Sequence, residues 1–262
     1  MTQLLEGKNA IIYGAEGGIG GGVARTFARE GATVFLVGRT NATLQKVADE
    51  ITGRGGRAHV AVVDALDEQA VDKHAKAVVD QAGSIDVSFN LITRGDLQGT
   101  PLVEMTKDDL LRAVVNGLQS QFITTRAAGR RMIEQSSGVI LHLNSASGAG
   151  AQPGMGSTGP ADAATEAFMR YLAAELGPHG IRVCGIWTAA VVETLSKEKF
   201  AAVVGDDAPE PKMVLQMISG TAALRRAPRL ADVAEAAAFL ASDRAAGMTG
   251  SMANVTSGLV LR

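Results

Sequence analysis

Cysteine, tyrosine and tryptophan are almost missing from this 262-residue chain, which has one Cys, two Tyr and one Trp, with aromatics at 4%. A single cysteine, Cys184, excludes an intrachain disulfide and points to a reducing compartment; its plain reading is a small buried hydrophobe. The four histidines, His59, His74, His142 and His179, are scattered without metal-ligand spacing, so no metal site is expected. No apolar run approaches the roughly 20 residues of a membrane-spanning helix. The opening Met1-Thr2-Gln3-Leu4-Leu5-Glu6-Gly7-Lys8 lacks a signal-peptide layout. Charge of one sign is also missing: 25 basic and 27 acidic residues leave a net −2, with no general attraction to nucleic acid or anionic lipid. The expectation is a soluble, cytoplasmic protein with no nucleic-acid or membrane partner.

What is present is a 46% hydrophobic composition, enough for a sizeable core, arranged as short apolar runs alternating with longer amphipathic segments. That alternation is the pattern of α/β architecture, a doubly wound parallel sheet of the Rossmann type, in one domain spanning residues 1–262. Strands are predicted at Asn9–Tyr13, Thr33–Val37, His59–Val63, Ile85–Ile92, Val139–Leu143, Ile181–Trp187 and Met252–Val255. Helices are predicted after the first strand (Ile19, Val23 and Phe27 every four residues), over Leu44–Ile51, Val71–Val79, Asp108–Gln135, Pro160–Leu176 and Ala231–Ser242. Residues 189–228 break the rhythm. They mix Leu195, Phe200, Met213 and Met217 with Gly205-Asp206-Asp207-Ala208-Pro209-Glu210-Pro211, too apolar for a linker and too broken for one helix. A flap over a pocket fits both properties.

The turn Gly14-Ala15-Glu16-Gly17-Gly18-Ile19-Gly20 lies between the first strand and first helix. Glycine there lets backbone approach a pyrophosphate, and the helix start adds free N–H donors and a positive dipole end. With the spacing Gly14-x-x-x-Gly18-x-Gly20, with Asp64 after the third strand, Asn90 ending the fourth, Asn116 in the long helix, Ser145 after the fifth, and Asp232–Ser242 leading to Thr249-Gly250, the chain resembles the short-chain dehydrogenase/reductases over essentially its whole length. The resemblance implies cofactor-binding roles for Gly14, Glu16, Gly18, Ile19, Gly20, Arg39, Asp64 and Asn90. Gly38-Arg39-Thr40 ends the second strand without a carboxylate, and Arg39 offers a bidentate fork to a 2′-phosphate. NADP(H) is therefore the expected cofactor and NAD(H) the alternative, with Glu16 a contrary sign because no basic residue neighbours it in the turn.

In the family a tyrosine protonates the carbonyl, a lysine four residues on lowers its pKa and holds the nicotinamide ribose, a serine orients the carbonyl and an asparagine completes a proton path. Here those positions read Thr158, Asp162, Ser145 and Asn116. An aliphatic hydroxyl is a far weaker acid than a phenol of pKa near 10, and a lost general acid costs about 10²–10⁴ in rate. Asp162 is expected to accept from the ribose hydroxyls instead, and Pro160 to delay its helix or sit in the first turn. Leu91-Ile92-Thr93-Arg94 and Thr188-Ala189 replace the family's usual loops beside the nicotinamide. Three readings follow: an NADP(H)-dependent oxidoreductase with a non-standard acid, acting on a hydrophobic carbonyl, alcohol or polarised C=C; a catalytically silent nucleotide-binding sensor or partner subunit; and a lyase or hydrolase using Asp162. A homotetramer is expected by resemblance, packed through the long helix and the alanine-rich helix carrying Ala163, Ala164, Ala167, Ala173 and Ala174.

Overall fold

In a computed structural model, which describes residues 3–148, 150–205 and 208–261, seven parallel strands form one sheet in the order β3-β2-β1-β4-β5-β6-β7. The strands are β1 (Asn9–Tyr13), β2 (Thr33–Gly38), β3 (Arg57–Val62), β4 (Val87–Asn90), β5 (Gly138–Ser145), β6 (Ile181–Thr188) and β7 (Met252–Val255). The main helices are α1 (Gly18–Arg29), α2 (Asn41–Thr52), α3 (Glu68–Ala82), α4 (Lys107–Gln135), α5 (Thr158–Leu176), α6 (Lys197–Val204), α7 (Pro211–Thr221) and α8 (Leu230–Ala241).

Central strands read as continuous apolar runs because helices cover both of their faces. One core layer joins Ile12, Leu36 and Leu141 to Val23 and Phe27 of α1 and Val233 of α8. The other joins Ile11, Phe35 and Ile140 to Val71 of α3, Met132 of α4 and Met169 of α5. β3, an edge strand, has no fully buried position and alternates between exposed and half-buried residues over Arg57–Val60.

The strand order reverses between β1 and β4, and a crevice opens there at the carboxyl ends of the strands. Register brings the candidate residues to that edge: Tyr13 pairs with Asn90, Asn90 with His142, and Ser145 with Thr188. One expectation changes. The fourth strand is trimmed to Val87–Asn90, since the Leu91 and Ile92 backbones turn against Gly14. Of the two places expected for Pro160, the structure shows the second: α5 starts at Thr158 and Pro160 sits in its first turn. A proline in the first turn gives up only an N–H that has no helical acceptor. Residues 189–228 contain α6 and α7; Asp206 and Asp207 of the expected flap, and Met1 and Thr2, lie outside the described residues.

Candidate active site

The glycine turn closes as its spacing demands. Gly14 has φ +75°, and a Cβ on it would lie 2.6 Å from the Leu91 carbonyl oxygen. A Cβ on Gly20 would lie 2.2 Å from the Gly14 carbonyl oxygen. A backbone cradle this close suits a pyrophosphate and excludes side chains. Across from the start of α1, Thr194 and Lys199 reach toward Gly18, with Lys199 Nζ 3.3 Å from where a Gly18 Cβ would sit. Beside the turn, a cavity of about 110 Å³ is lined by Gly14, Glu16, Gly38, Arg39, Asp64 and Leu66, among others. Asp64 Oδ1 accepts from the Leu66 N–H at 3.0 Å, and Glu16 Oε1 accepts from the Arg39 N–H at 3.1 Å. Glu16 therefore does have Arg39 as a neighbour, through its main chain. The buried Glu16 Oε2 in this cavity has no hydrogen-bond partner within the described chain.

A second cavity, of about 260 Å³, continues along the strand ends and is lined by Ile19, Asn90, Arg94, Asp96, Ser145 and Thr188, among others. Asn90 is a buried anchor rather than an open contact: its amide donates to Thr124 Oγ1 at 3.2 Å, and its Oδ1 accepts from the Ile92 N–H at 3.1 Å.

The centre of the site is a buried ion pair. Asp162, its side chain wholly inaccessible, accepts from Arg94 at 2.8 Å through Oδ1, and the Ser145 hydroxyl donates to its Oδ2 at 2.5 Å. Arg94 also donates to both oxygens of Asp96, at 2.7 and 3.3 Å. Burial raises the Asp162 carboxyl from its ordinary 3.8 to about 6, against the opposing pull of Arg94 and of the Ser145 hydrogen bond. Burial opposes the charge on Arg94 too, but Asp96 and Asp162 outweigh it and hold the guanidinium above its ordinary range.

These contacts correct two expectations. Asp162 does not present an acceptor to a ribose, because both its oxygens are engaged inside the protein. Nor does the site lack a cation: Arg94, from the loop after β4, stands against Asp162. Thr158 is 4% exposed, and its hydroxyl accepts from the Gln98 amide at 3.0 Å instead of facing Asp162. Asn116 donates to the Arg94 carbonyl at 3.1 Å, so it holds the loop that carries the cation. His142 is buried against β6 with both ring nitrogens unpartnered among the described residues, and burial pushes it down to about 4.

Sequence reading passed over Asp96 and Gln98, which have no motif around them. It also passed over Glu166, which accepts from Trp187 Nε1 at 2.7 Å and braces α5 against β6. The available signal was the coincidence of an unusual Asp162 with an unusual Arg94 at two positions that the topology brings together.

A third cavity, of about 420 Å³, opens on the other side of Ser145, walled by Met155, Phe200, Val214, Met217 and Ile218 with Gln98 and Thr188. Residues of α6 and α7 form much of this apolar wall. Among the described residues no group of three His, Cys, Asp or Glu side chains could hold a metal ion, and no helix is long and apolar enough to cross a membrane.

A family model described as enoyl-(acyl carrier protein) reductase matches residues 14–260. Oxidoreductase UcpA of Escherichia coli is 33% identical over 98% of this chain and 96% of its own length. The 7alpha-hydroxysteroid dehydrogenase of Escherichia coli is 30% identical over 97% of this chain and 94% of its own length. Among solved structures, carveol dehydrogenase from Mycobacterium avium in complex with NAD superposes with a TM-score of 0.90 at 26% identity, each chain covered in full. With the glycine cradle, the strand-end cavities and relatives of this coverage, the chain belongs to the short-chain dehydrogenase/reductase family, as an oxidoreductase of that type.

Proposed function

We propose a nicotinamide-dependent oxidoreductase that acts on a hydrophobic carbonyl or alcohol, or on a polarised C=C, with Ser145 and Asp162 as its proton relay. One observation carries this reading: Ser145 lines both the cavity at the strand ends and the apolar cavity beyond it, and its hydroxyl is joined to a buried carboxyl at 2.5 Å. The bound nicotinamide would supply or take the hydride. The crystallised neighbours bound to NAD or NADH support a nicotinamide in this crevice. Gly14, Gly18, Ile19 and Gly20 would seat it, with Lys199 near the pyrophosphate and α6 and α7 acting as the flap.

In the reducing direction protonated Asp162 donates to Ser145 Oγ while Ser145 passes its own proton to the substrate oxygen. Asp162 is left ionised against Arg94 and regains its proton from solvent. A carboxyl near 6 suits this role at physiological pH better than the Thr158 hydroxyl, which faces Gln98. Arg39 argues for NADP(H) and Glu16 against it.

The test is turnover of hydrophobic ketones, enones and secondary alcohols with NADH, NADPH and their oxidised forms. Ser145→Ala and Asp162→Asn should each lower kcat about 10²–10⁴-fold. Reduction should accelerate as pH falls through about 6, and oxidation as it rises through the same value. Activity indifferent to both substitutions would dismiss the relay. A second reading, a silent nucleotide-binding protein, draws on the burial of Thr158 beneath Gln98, with no phenol at that position. Tight cofactor binding without turnover of any substrate would select it.

A further inference from the structure

We infer that Glu16 sets the cofactor preference of this protein and selects NAD(H) over NADP(H), an inference that rests on the nicotinamide-dependent reading above. β2 ends in Gly38, so no carboxylate stands at the usual discriminating place. The structure fills that place from elsewhere. A Cβ on Gly38 would lie 1.6 Å from Glu16 Oε2 and 2.3 Å from its Cδ, so the Glu16 carboxylate occupies the volume a residue-38 side chain would take. The glycine turn thus delivers to the end of β2 the acid that β2 itself lacks.

The two oxygens of Glu16 differ. Oε1 is held by the Arg39 N–H at 3.1 Å, which fixes the carboxylate in place. Oε2 is buried and has no hydrogen-bond partner within the described chain, in a cavity lined by Gly14, Gly38 and Asp64. A buried carboxylate oxygen without a donor is costly, and a ligand that brings a donor relieves that cost. A ribose 2′-hydroxyl is such a donor. A 2′-phosphate brings no donor and close to two negative charges at neutral pH. The charged side chains lining the cavity are Glu16, Asp64 and Arg39, two carboxylates against one guanidinium. Arg39 is exposed, where solvent and salt screen its attraction for a phosphate more than burial allows for the repulsion from Glu16.

The measurement is calorimetric titration of the full-length protein with NADH and with NADPH, which reads binding without turnover. Wild type should bind NADH more tightly than NADPH by about tenfold or more, the worth of one charge-assisted hydrogen bond. Glu16→Gln should weaken NADH and tighten NADPH. Gly38→Ala should do the same by displacing the carboxylate. A wild type that binds NADPH as well as or better than NADH overturns the inference, as does a Glu16→Gln variant that shifts both cofactors equally. Failure of the wild type to bind either cofactor overturns the nicotinamide reading itself, so the two failures are distinguishable.

Discussion

At residue 162 the family's cation has become an anion, and at residue 94 an unexceptional loop position has become the cation. Arg94 and Asp162 form a buried pair of opposite charges beside Ser145, the cation from the loop after β4 and the anion from α5. Because the folded Asp162 binds its proton near 6, against 3.8 ordinarily, its ionisation detracts from stability above about pH 6. That penalty recedes as pH falls from 6 toward 3.8. The exchange also limits what reversion can do. Thr158→Tyr with Asp162→Lys would set a buried ammonium against Arg94, and an unpaired buried charge costs about 3–5 kcal/mol. The double variant, which also removes the Asp162 carboxyl, is therefore expected to melt well below wild type and to lose activity on ketones. Adding Arg94→Ala should restore the melting temperature and yield measurable carbonyl reduction. Thermal melts and turnover check both halves; a double variant as stable and active as the triple one would show that Arg94 does not oppose residue 162.

Elements were more legible than contacts. Hydrophobic period and glycine punctuation placed each strand and every main helix outside residues 189–228 within a few residues, since β1, β2, β5 and α1 are read from local chemistry alone; α6 and α7 were not placed. The turn Gly14–Gly20 was legible for the same reason: its glycines are required by backbone contacts a few residues apart. Gly20→Ala should push its Cβ into the Gly14 carbonyl, 2.2 Å away, and displace the start of α1. The expected result is about 1–3 kcal/mol of lost stability with a larger loss of cofactor affinity, read by denaturant titration and calorimetry. Unchanged affinity would mean that the turn does not seat the cofactor. What sequence could not give were pairs far apart in the chain. Arg94 with Asp162, Gln98 with Thr158, and Glu16 with Gly38 are separated by dozens of positions or meet across different strand ends. No periodicity links them, so the cation went unpaired and the carboxylate at β2 went unseen until the fold brought them together.

For the whole molecule, the sequence-based homotetramer becomes a proposal with a more definite surface. Leu111, Val115, Leu118 and Phe122 form one exposed stripe on α4, at the spacing of a single helix face, with Phe122 45% exposed. Tyr171 of α5, 74% exposed, adds an aromatic side chain, and Phe122 meets Phe168 of α5 edge-on with ring centroids 6.3 Å apart, so the two helices present one apolar surface. Ala173, expected on that surface, is instead buried in the chain's own core because its position on α5 faces the sheet, whereas Ala163 and Ala174 remain exposed. A contiguous apolar stripe of this kind is what a soluble chain covers by association. Wild type should run as a tetramer in light scattering at micromolar concentration. Phe122→Glu with Val115→Glu should shift it to smaller species while circular dichroism stays native, because neither side chain belongs to the core layers. Since α4 also supplies Asn116, which holds the Arg94 loop, dissociation should loosen the buried ion pair and lower turnover more than it lowers cofactor affinity. A monomeric wild type, or a doubly substituted protein that remains tetrameric, would place the interface elsewhere.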